Sequence, residues 1–193
     1  LTPFEIVSLT SSGFFFRDNF LPCHSANLIR AEALTLVSRG ALRAAGFGRD
    51  GQTDVAVRGD QLCWLEKSTA GRGTRDLMIA FERLRQTVNR DLYLGVVRYE
   101  MQLAHYPAAS AGYQKHFDAF RGGPNRRLTA IYYLNPTWKA GQGGELALYL
   151  PGGELRIQPL QNRLLVFMAE DVEHAVLPVA ASRLALTAWF HGR

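Results

Sequence analysis

The sequence predicts a mainly β chain of the α+β class: a double-stranded β-helix, or jelly roll, with supporting helices from its N-terminal half. Three observations lead there. From about residue 93 onward, short apolar runs of strand length alternate with Gly-, Pro- and Asn-rich turns. Before that point, two stretches repeat their apolar residues at helical spacing. No internal repeat, low-complexity tract or long linker divides the 193 residues. The expectation is therefore one domain, 1–193, with helical support over about 20–92 and a jelly-roll core over about 93–191.

Taken in order, Phe14-Phe15-Phe16 is a short apolar run closed by Arg17 and Asp18. It is far below the roughly 20 residues that cross a bilayer, and no other apolar run comes near that length. No basic segment leads into an apolar stretch at the N-terminus, so no signal peptide is expected within these residues. Pro22 and Ser25 precede Ile29, Ala33, Leu36 and Val37, which share one helical face; Ser25 is the expected cap, and the helix should end near Gly46. A second helix fits Thr74 to about Asn89, where Leu77, Phe81, Leu84 and Val88 step by four, three and four. Both should pack on a sheet as scaffold. Between them, a strand, a polar loop near residues 49–57 and a strand through Leu62, Trp64 and Leu65 read as a long hairpin. Its Arg58-Gly59-Asp60 triplet reads as turn chemistry. The later strands are expected at Tyr93–Tyr106, Arg127–Leu134, Glu145–Leu150, Leu155–Leu160, Arg163–Met168, His174–Val179 and Arg183–Phe190.

Composition excludes several classes. Hydrophobic residues make up 47 % and charged residues 20 %, which is neither disordered nor membrane-like. Cys23 and Cys63 stand in unrelated contexts, so neither a disulfide scaffold nor a structural zinc site is expected, and a cytoplasmic, reducing compartment is the default. The net charge of +5 comes with arginine clusters at 39, 43 and 49, at 83, 85 and 90, and at 121, 126 and 127. These fit a solvated basic face; they would also suit nucleic acid or an acidic protein surface, but no nucleic-acid motif accompanies them.

The most informative residues are His116-Phe117-Asp118, His174 and Arg183. Two imidazoles and one carboxylate can occupy one face of a six-coordinate Fe(II) and leave positions open for a cosubstrate and dioxygen. The spacing of two puts His116 and Asp118 on the same side of an extended segment. His174 must arrive from a distant strand, so the triad should come from two places in the barrel. Along the last strand Arg183, Ala185, Thr187 and Trp189 alternate with Leu184, Leu186, Ala188 and Phe190. One face can line a pocket while the other packs away from it. An arginine aimed into a barrel calls for an anionic partner, because an unpaired buried charge is costly, and a dicarboxylate would meet the guanidinium fork. His24, His105 and His191 lie outside the constellation and are expected to be non-catalytic. Glu170, Asp171 and Glu173 read as a solvated acidic turn, with orientation of His174 as the alternative.

At this point the residues resemble a family. Tyr106-Pro107, Gly112-Tyr113, His116-Phe117-Asp118, Ile131-Tyr132-Tyr133-Leu134-Asn135, Trp138, Gly143-Gly144, Arg163-Leu164-Leu165, His174 and Arg183 to Trp189 are together similar to the iron- and 2-oxoglutarate-dependent prolyl 4-hydroxylases. The resemblance is strongest to the branch of the hypoxia-inducible-factor prolyl hydroxylases and their bacterial relatives. Arg58-Gly59-Asp60 with Trp64 resembles the segment after that branch's mobile finger loop. Collagen-type members resemble the chain less, since they hold the cosubstrate with a lysine where Arg183 stands.

The resemblance implies Fe(II) on His116, Asp118 and His174, and 2-oxoglutarate with its distal carboxylate on Arg183 and Tyr106, alongside Thr187. It places Ile131, Tyr133 and Leu146 along the cosubstrate pocket and Trp189 nearby, although all four also read as ordinary core residues. Dioxygen and 2-oxoglutarate would become succinate, carbon dioxide and a hydroxyl on the substrate, with ascorbate as a reductant. The implied partner is a protein carrying the target proline, such as a translation GTPase or another translation component, gripped by the loop near 49–57. Two other readings stay open: the same iron chemistry on nucleic acid or another side chain, and a non-catalytic metal-binding sensor module. A base-stacking aromatic surface flanked by basic residues would mark the nucleic-acid reading.

Overall fold

A computed structural model describes residues 1–46, 52–119 and 125–193. The first element, α1 (Pro3–Ser11), begins on a reciprocal cap. Thr2 Oγ1 accepts from the Glu5 amide, Glu5 Oε2 accepts from the Thr2 amide, and Pro3 supplies a preset φ. This helix lies outside the helical support expected from about residue 20. Its Thr-Pro-Phe-Glu start is the signal that announces it. The Phe14-Phe15-Phe16 run forms β1 (Phe14–Arg17), tied to α1 by the Arg17–Glu5 ion pair.

Helix α2 (Cys23–Ser38) starts earlier than expected and ends earlier too. Its N-cap is Pro22, while Ser25 sits inside the helix and donates to Asp76 Oδ2 at 2.8 Å. The end comes where Gly40 takes φ +66: its amide reaches Val37 O and the Ala41 amide reaches Leu36 O, the paired bonds of a Schellman stop. Helix α3 (Arg72–Leu92) has no side-chain cap of its own. Glu32 of α2 supplies one, accepting from the amides of Gly73 (2.8 Å) and Thr74 (2.9 Å) and from the Thr74 hydroxyl (2.6 Å). Leu77, Phe81, Leu84 and Val88 are buried, as their spacing requires.

The sheet residues follow. After α2 come β2 (Arg43–Ala44) and β3 (Gln61–Trp64), which pair as the ends of the hairpin. Of the loop between them, residues 47–51 lie outside the described residues, and Val55–Val57 form a turn. Beyond α3 are β4 (Arg98–Tyr106), β5 (Tyr113–His116), β6 (Arg126–Tyr133), β7 (Leu146–Leu150), β8 (Gly153–Ile157), β9 (Leu164–Met168), β10 (Glu173–Val176) and β11 (Arg183–His191). The strand expected from Tyr93 begins only at Arg98, because α3 runs to Leu92 and Tyr93 takes a left-handed φ of 53 to end it. The short strand β5 is additional; its Tyr-Gln-Lys-His sequence has little apolar alternation.

Two antiparallel sheets result, one ordered β1-β9-β6-β11-β4-β3-β2 and the other β5-β10-β7-β8. This is the jelly roll expected, and side-chain alternation divides it into two cores. Leu128, Tyr132, Leu164, Leu186 and Phe190 face the helices and meet Ile29, Leu77 and Phe81. Ile131, Tyr133, Phe167 and Ala185 face inward toward Leu146, Leu148 and Val176 of the smaller sheet. The cavity opens between the two sheets.

Candidate active site

Strands β5 and β10 pair with His116 opposite His174, so the two imidazoles that looked distant in sequence come from adjacent strands. Gly112 lets the strands approach: it has φ +84, and a Cβ there would sit 2.1 Å from Val176 O. Asp118 lies just beyond β5, in a bend rather than on the strand, and turns inward there. Its Oδ1 is 3.8 Å from His116 Nε2 and its Oδ2 is 3.7 Å from His174 Nε2. One ligand atom from each of the three lies within 4.8 Å of the others.

Both histidines are presented the same way. His116 Nδ1 meets Gln114 O at 2.7 Å, and His174 Nδ1 meets Val172 O at 3.0 Å. With Nδ1–H donated to a carbonyl two residues back, each Nε2 keeps its lone pair for a metal. Burial, with His174 alongside, pushes the His116 imidazole down to about 4, so it is neutral and ready to ligate at ordinary pH. Burial alone would raise Asp118, but the two imidazoles, the Thr129 hydroxyl at 2.6 Å and Arg126 outweigh it and hold the carboxyl below its ordinary value. Donor set, charge and spacing all fit a divalent iron. Glu173 pairs with Lys115 at 2.8 Å and Glu170 lies 3.9 Å from Arg127. The oxygen that orients His174 is thus the Val172 carbonyl, and the acidic turn serves surface ion pairs.

Across a cavity of about 700 Å³ lies Arg183, 3 % exposed. Its Nε donates to Gly144 O at 2.8 Å, and its guanidinium lies 5.0 Å from the Tyr106 ring and 5.2 Å from the Tyr133 ring. Among the described residues it forms no ion pair. Tyr133 Oη is buried without a hydrogen-bond partner. Burial pushes the Tyr133 phenol up to about 12 and the Tyr106 phenol higher still, so both are neutral donors. A buried cation without an anion, beside a phenol without an acceptor, fits the distal carboxylate of a dicarboxylate cosubstrate.

Tyr106, Ile131, Leu146, Thr187 and Trp189 line this cavity together with the triad and Arg183. Tyr133 is fully buried beside Arg183, with its unpartnered hydroxyl in the same cluster. His24 is exposed, His105 bonds Ser182 at 2.9 Å, and His191 lies 3.1 Å from Glu100; none joins the triad. Thr129 and Arg126 have no site role in the sequence reading, and Arg58 and Trp64 have only their likeness to the segment after the finger loop. Thr129 is eleven residues from Asp118 and on another strand, so no local pattern points to it. Arg126 stacks 4.3 Å from the Trp189 ring, and Trp64 lies 5.9 Å from it.

Comparison with known proteins agrees with this geometry. Residues 101–191 match the 2OG-Fe(II) oxygenase superfamily. The prolyl hydroxylase EGLN3 of Homo sapiens is 31 % identical over 187 residues, covering 92 % of this chain and 78 % of the relative. A solved prolyl-4-hydroxylase of Pseudomonas putida superposes with a TM-score of 0.90 at 32 % identity, covering 98 % of this chain and 97 % of that one. A prolyl hydroxylase solved with a hypoxia-inducible-factor peptide fragment, from Trichoplax adhaerens, gives 0.89 at 28 % identity, covering 97 % and 87 %. With its His116, Asp118 and His174 gathered opposite a buried Arg183, this chain belongs to the 2OG-Fe(II) oxygenases, in the family of the prolyl hydroxylases.

Proposed function

We propose that this chain hydroxylates a prolyl residue at its 4-position in a protein substrate, as a single Fe(II)- and 2-oxoglutarate-dependent domain spanning 1–193. The single observation that carries the reading is Arg183, a buried guanidinium with no carboxylate partner among the described residues, facing the His116–Asp118–His174 triad across one cavity. In this reading the triad binds Fe(II), and Arg183 with Tyr106 and Tyr133 binds the far carboxylate of 2-oxoglutarate. Thr187, Ile131, Leu146 and Trp189 shape the space beside them. Bound iron supplies dioxygen activation, which converts 2-oxoglutarate to succinate and carbon dioxide and leaves one oxygen atom on the substrate. The chain's own part is to hold the Nδ1 of each imidazole on a backbone carbonyl so that Nε2 faces the metal, keep the Asp118 carboxyl low, exclude water with apolar walls and place the target C–H bond. Ascorbate serves as reductant for the iron.

The rim favours a polypeptide over nucleic acid. Trp64 and Phe117 are exposed there beside Arg43, Lys115 and Arg126. But Lys115 is matched by Glu173 and Arg126 by Glu100, so among the described residues the rim is no continuous track for phosphates. The finer reading is that the proline belongs to a translation component such as a translation GTPase, in the cytoplasm. It rests on likeness to the bacterial family members. No described helix is long and apolar enough to cross a membrane.

The test is mass spectrometry of a host protein extract incubated with the enzyme, Fe(II), 2-oxoglutarate and isotopically heavy dioxygen, with His174→Ala as control. Heavy oxygen on defined prolyl residues, absent with the control, is the expected result and names the substrate. Consumption of 2-oxoglutarate without prolyl label would move the activity to nucleic acid or other side chains. Neither would leave a non-catalytic metal-binding module.

A further inference from the structure

Of the three triad side chains, His116 is the most exposed, at 20 % against 7 % for Asp118 and 5 % for His174. His174 stands on an inner strand with its ring 4.7 Å from that of Phe167. His116 ends a four-residue strand at the margin of its sheet, where pairing with β10 is already irregular past His174. Its Nδ1 bond to Gln114 O fixes one nitrogen and leaves the ring free to tilt about that contact. A metal ligand in such a place needs packing that the core does not supply.

That packing comes from two planar groups, Tyr113 and Arg58. The Tyr113 ring lies 3.8 Å from the His116 ring at an interplanar angle of 26°, and the Arg58 guanidinium lies over the same phenol ring, 4.7 Å from its centroid. Arg58 is itself locked. Its Nε and one terminal nitrogen donate to Asp60 at 2.7 and 3.1 Å, the other donates to Gly46 O at 3.1 Å, and the Asp60 side chain is wholly buried. The strap bearing Arg58 is laced to the ligand strand by Gly59 N to Gly112 O (2.8 Å), Gln114 N to Val57 O (2.9 Å) and Ser110 Oγ to Gly59 O (3.0 Å). Stacked aromatic and guanidinium planes resist tilting because each must part from its neighbour to turn.

We propose that Tyr113 and Arg58 are positioning residues for His116: their stack holds the imidazole with Nε2 toward the metal and joins that ligand mechanically to the strap at 56–59. The inference rests on the triad being the metal site of the preceding reading. It follows that the stack acts on metal binding rather than on the target proline, and that Arg58 acts only through Tyr113.

Co(II) titration of the metal-free protein, followed by its visible ligand-field bands, tests this without turnover. His116→Ala is the control for the site. Tyr113→Leu should weaken Co(II) about tenfold and shift the bands, whereas Tyr113→Phe, which keeps the ring, should bind as the unaltered chain does. The paired change Arg58→Gln with Asp60→Asn removes the ion pair together, so no buried carboxylate is stranded. It should weaken Co(II) severalfold alone and add nothing to Tyr113→Leu, the non-additivity of residues acting in series. Melting of each metal-free protein reads folding separately; if Tyr113→Leu does not fold, the paired variant decides. Unchanged Co(II) affinity and bands in folded variants, with binding lost in His116→Ala, would overturn the stack's role. Unchanged binding in His116→Ala would remove the metal site itself.

Discussion

Arg183 holds its charge inside the protein against a neutral carbonyl and two aromatic faces, an arrangement that costs stability until an anion arrives. Arg183→Met should therefore weaken 2-oxoglutarate binding by about 2 kcal/mol or more, roughly thirtyfold. The melting temperature of the ligand-free protein should not fall. Adding 2-oxoglutarate with a divalent metal should raise the melting temperature of the unaltered chain and leave that of Arg183→Met in place, which thermal melts with and without cosubstrate check. Thr129 makes the reverse case, a neutral side chain serving a buried charge. Thr129→Val keeps the shape but takes the 2.6 Å hydroxyl from Asp118 Oδ2. Metal affinity should drop about tenfold to a hundredfold in a Mn(II) titration. The His-x-Asp spacing and the arginine nine residues after His174 were visible in sequence because each is a short pattern of chemically distinct residues. Thr129 and the carbonyls of Gln114 and Val172 were not, since only the fold brings them there.

At the scale of elements, helix α3 shows how one helix completes another. Its N-terminus begins at glycine-bounded residues with no cap of their own, and the carboxylate of Glu32 in α2 meets three donors there, with the helix dipole adding to the attraction. Glu32→Ala should destabilise the fold by about 2 kcal/mol in urea denaturation, and Glu32→Gln by less, since it keeps acceptor geometry for one oxygen. Because α3 backs the strands that carry Arg183 and Thr187, the loss should also show as faster exchange of β11 amides. The body of α3 was legible from Leu77, Phe81, Leu84 and Val88, which face one core. Helix α1 was not, because Phe4 and Val7 point to solvent and blur its buried face. Strand β5 escaped for a related reason: Gln114 and Lys115 are exposed at the sheet margin, where burial imposes no alternation. The last strand had no such ambiguity, with Leu184, Leu186, Ala188 and Phe190 on the helix side and Arg183, Thr187 and Trp189 toward the cavity.

Over the whole molecule, acid should act first on the N-terminal segment. Burial alone would raise Glu5, but its bonds to Arg17 and Thr2 bring it below its ordinary 4.5; the Arg163 bond likewise holds Asp18 below 3.8. Carboxyls depressed in the folded state contribute stability that is complete above their unfolded values and is lost as pH falls through the folded ones. The depressed Asp118 has the same sign. Urea midpoints should thus hold from neutrality to about pH 5 and decline below it. The Glu5–Arg17 pair pins α1 to β1, and the Asp18–Arg163 pair pins the turn after β1 to the entry of β9. Strand β1 in turn covers the outer side of β9, residue for residue from Phe14 opposite Phe167 to Arg17 opposite Leu164. The strand beneath, Leu-Leu-Val-Phe-Met, has no charge and no proline to discourage another chain from adding to it. A protein lacking residues 1–17 would show that row of amides and carbonyls to its neighbours, and light scattering should record more self-association than for the intact chain. Seventeen residues remote from the chemistry thereby act as the molecule's guard against polymerising through its own sheet.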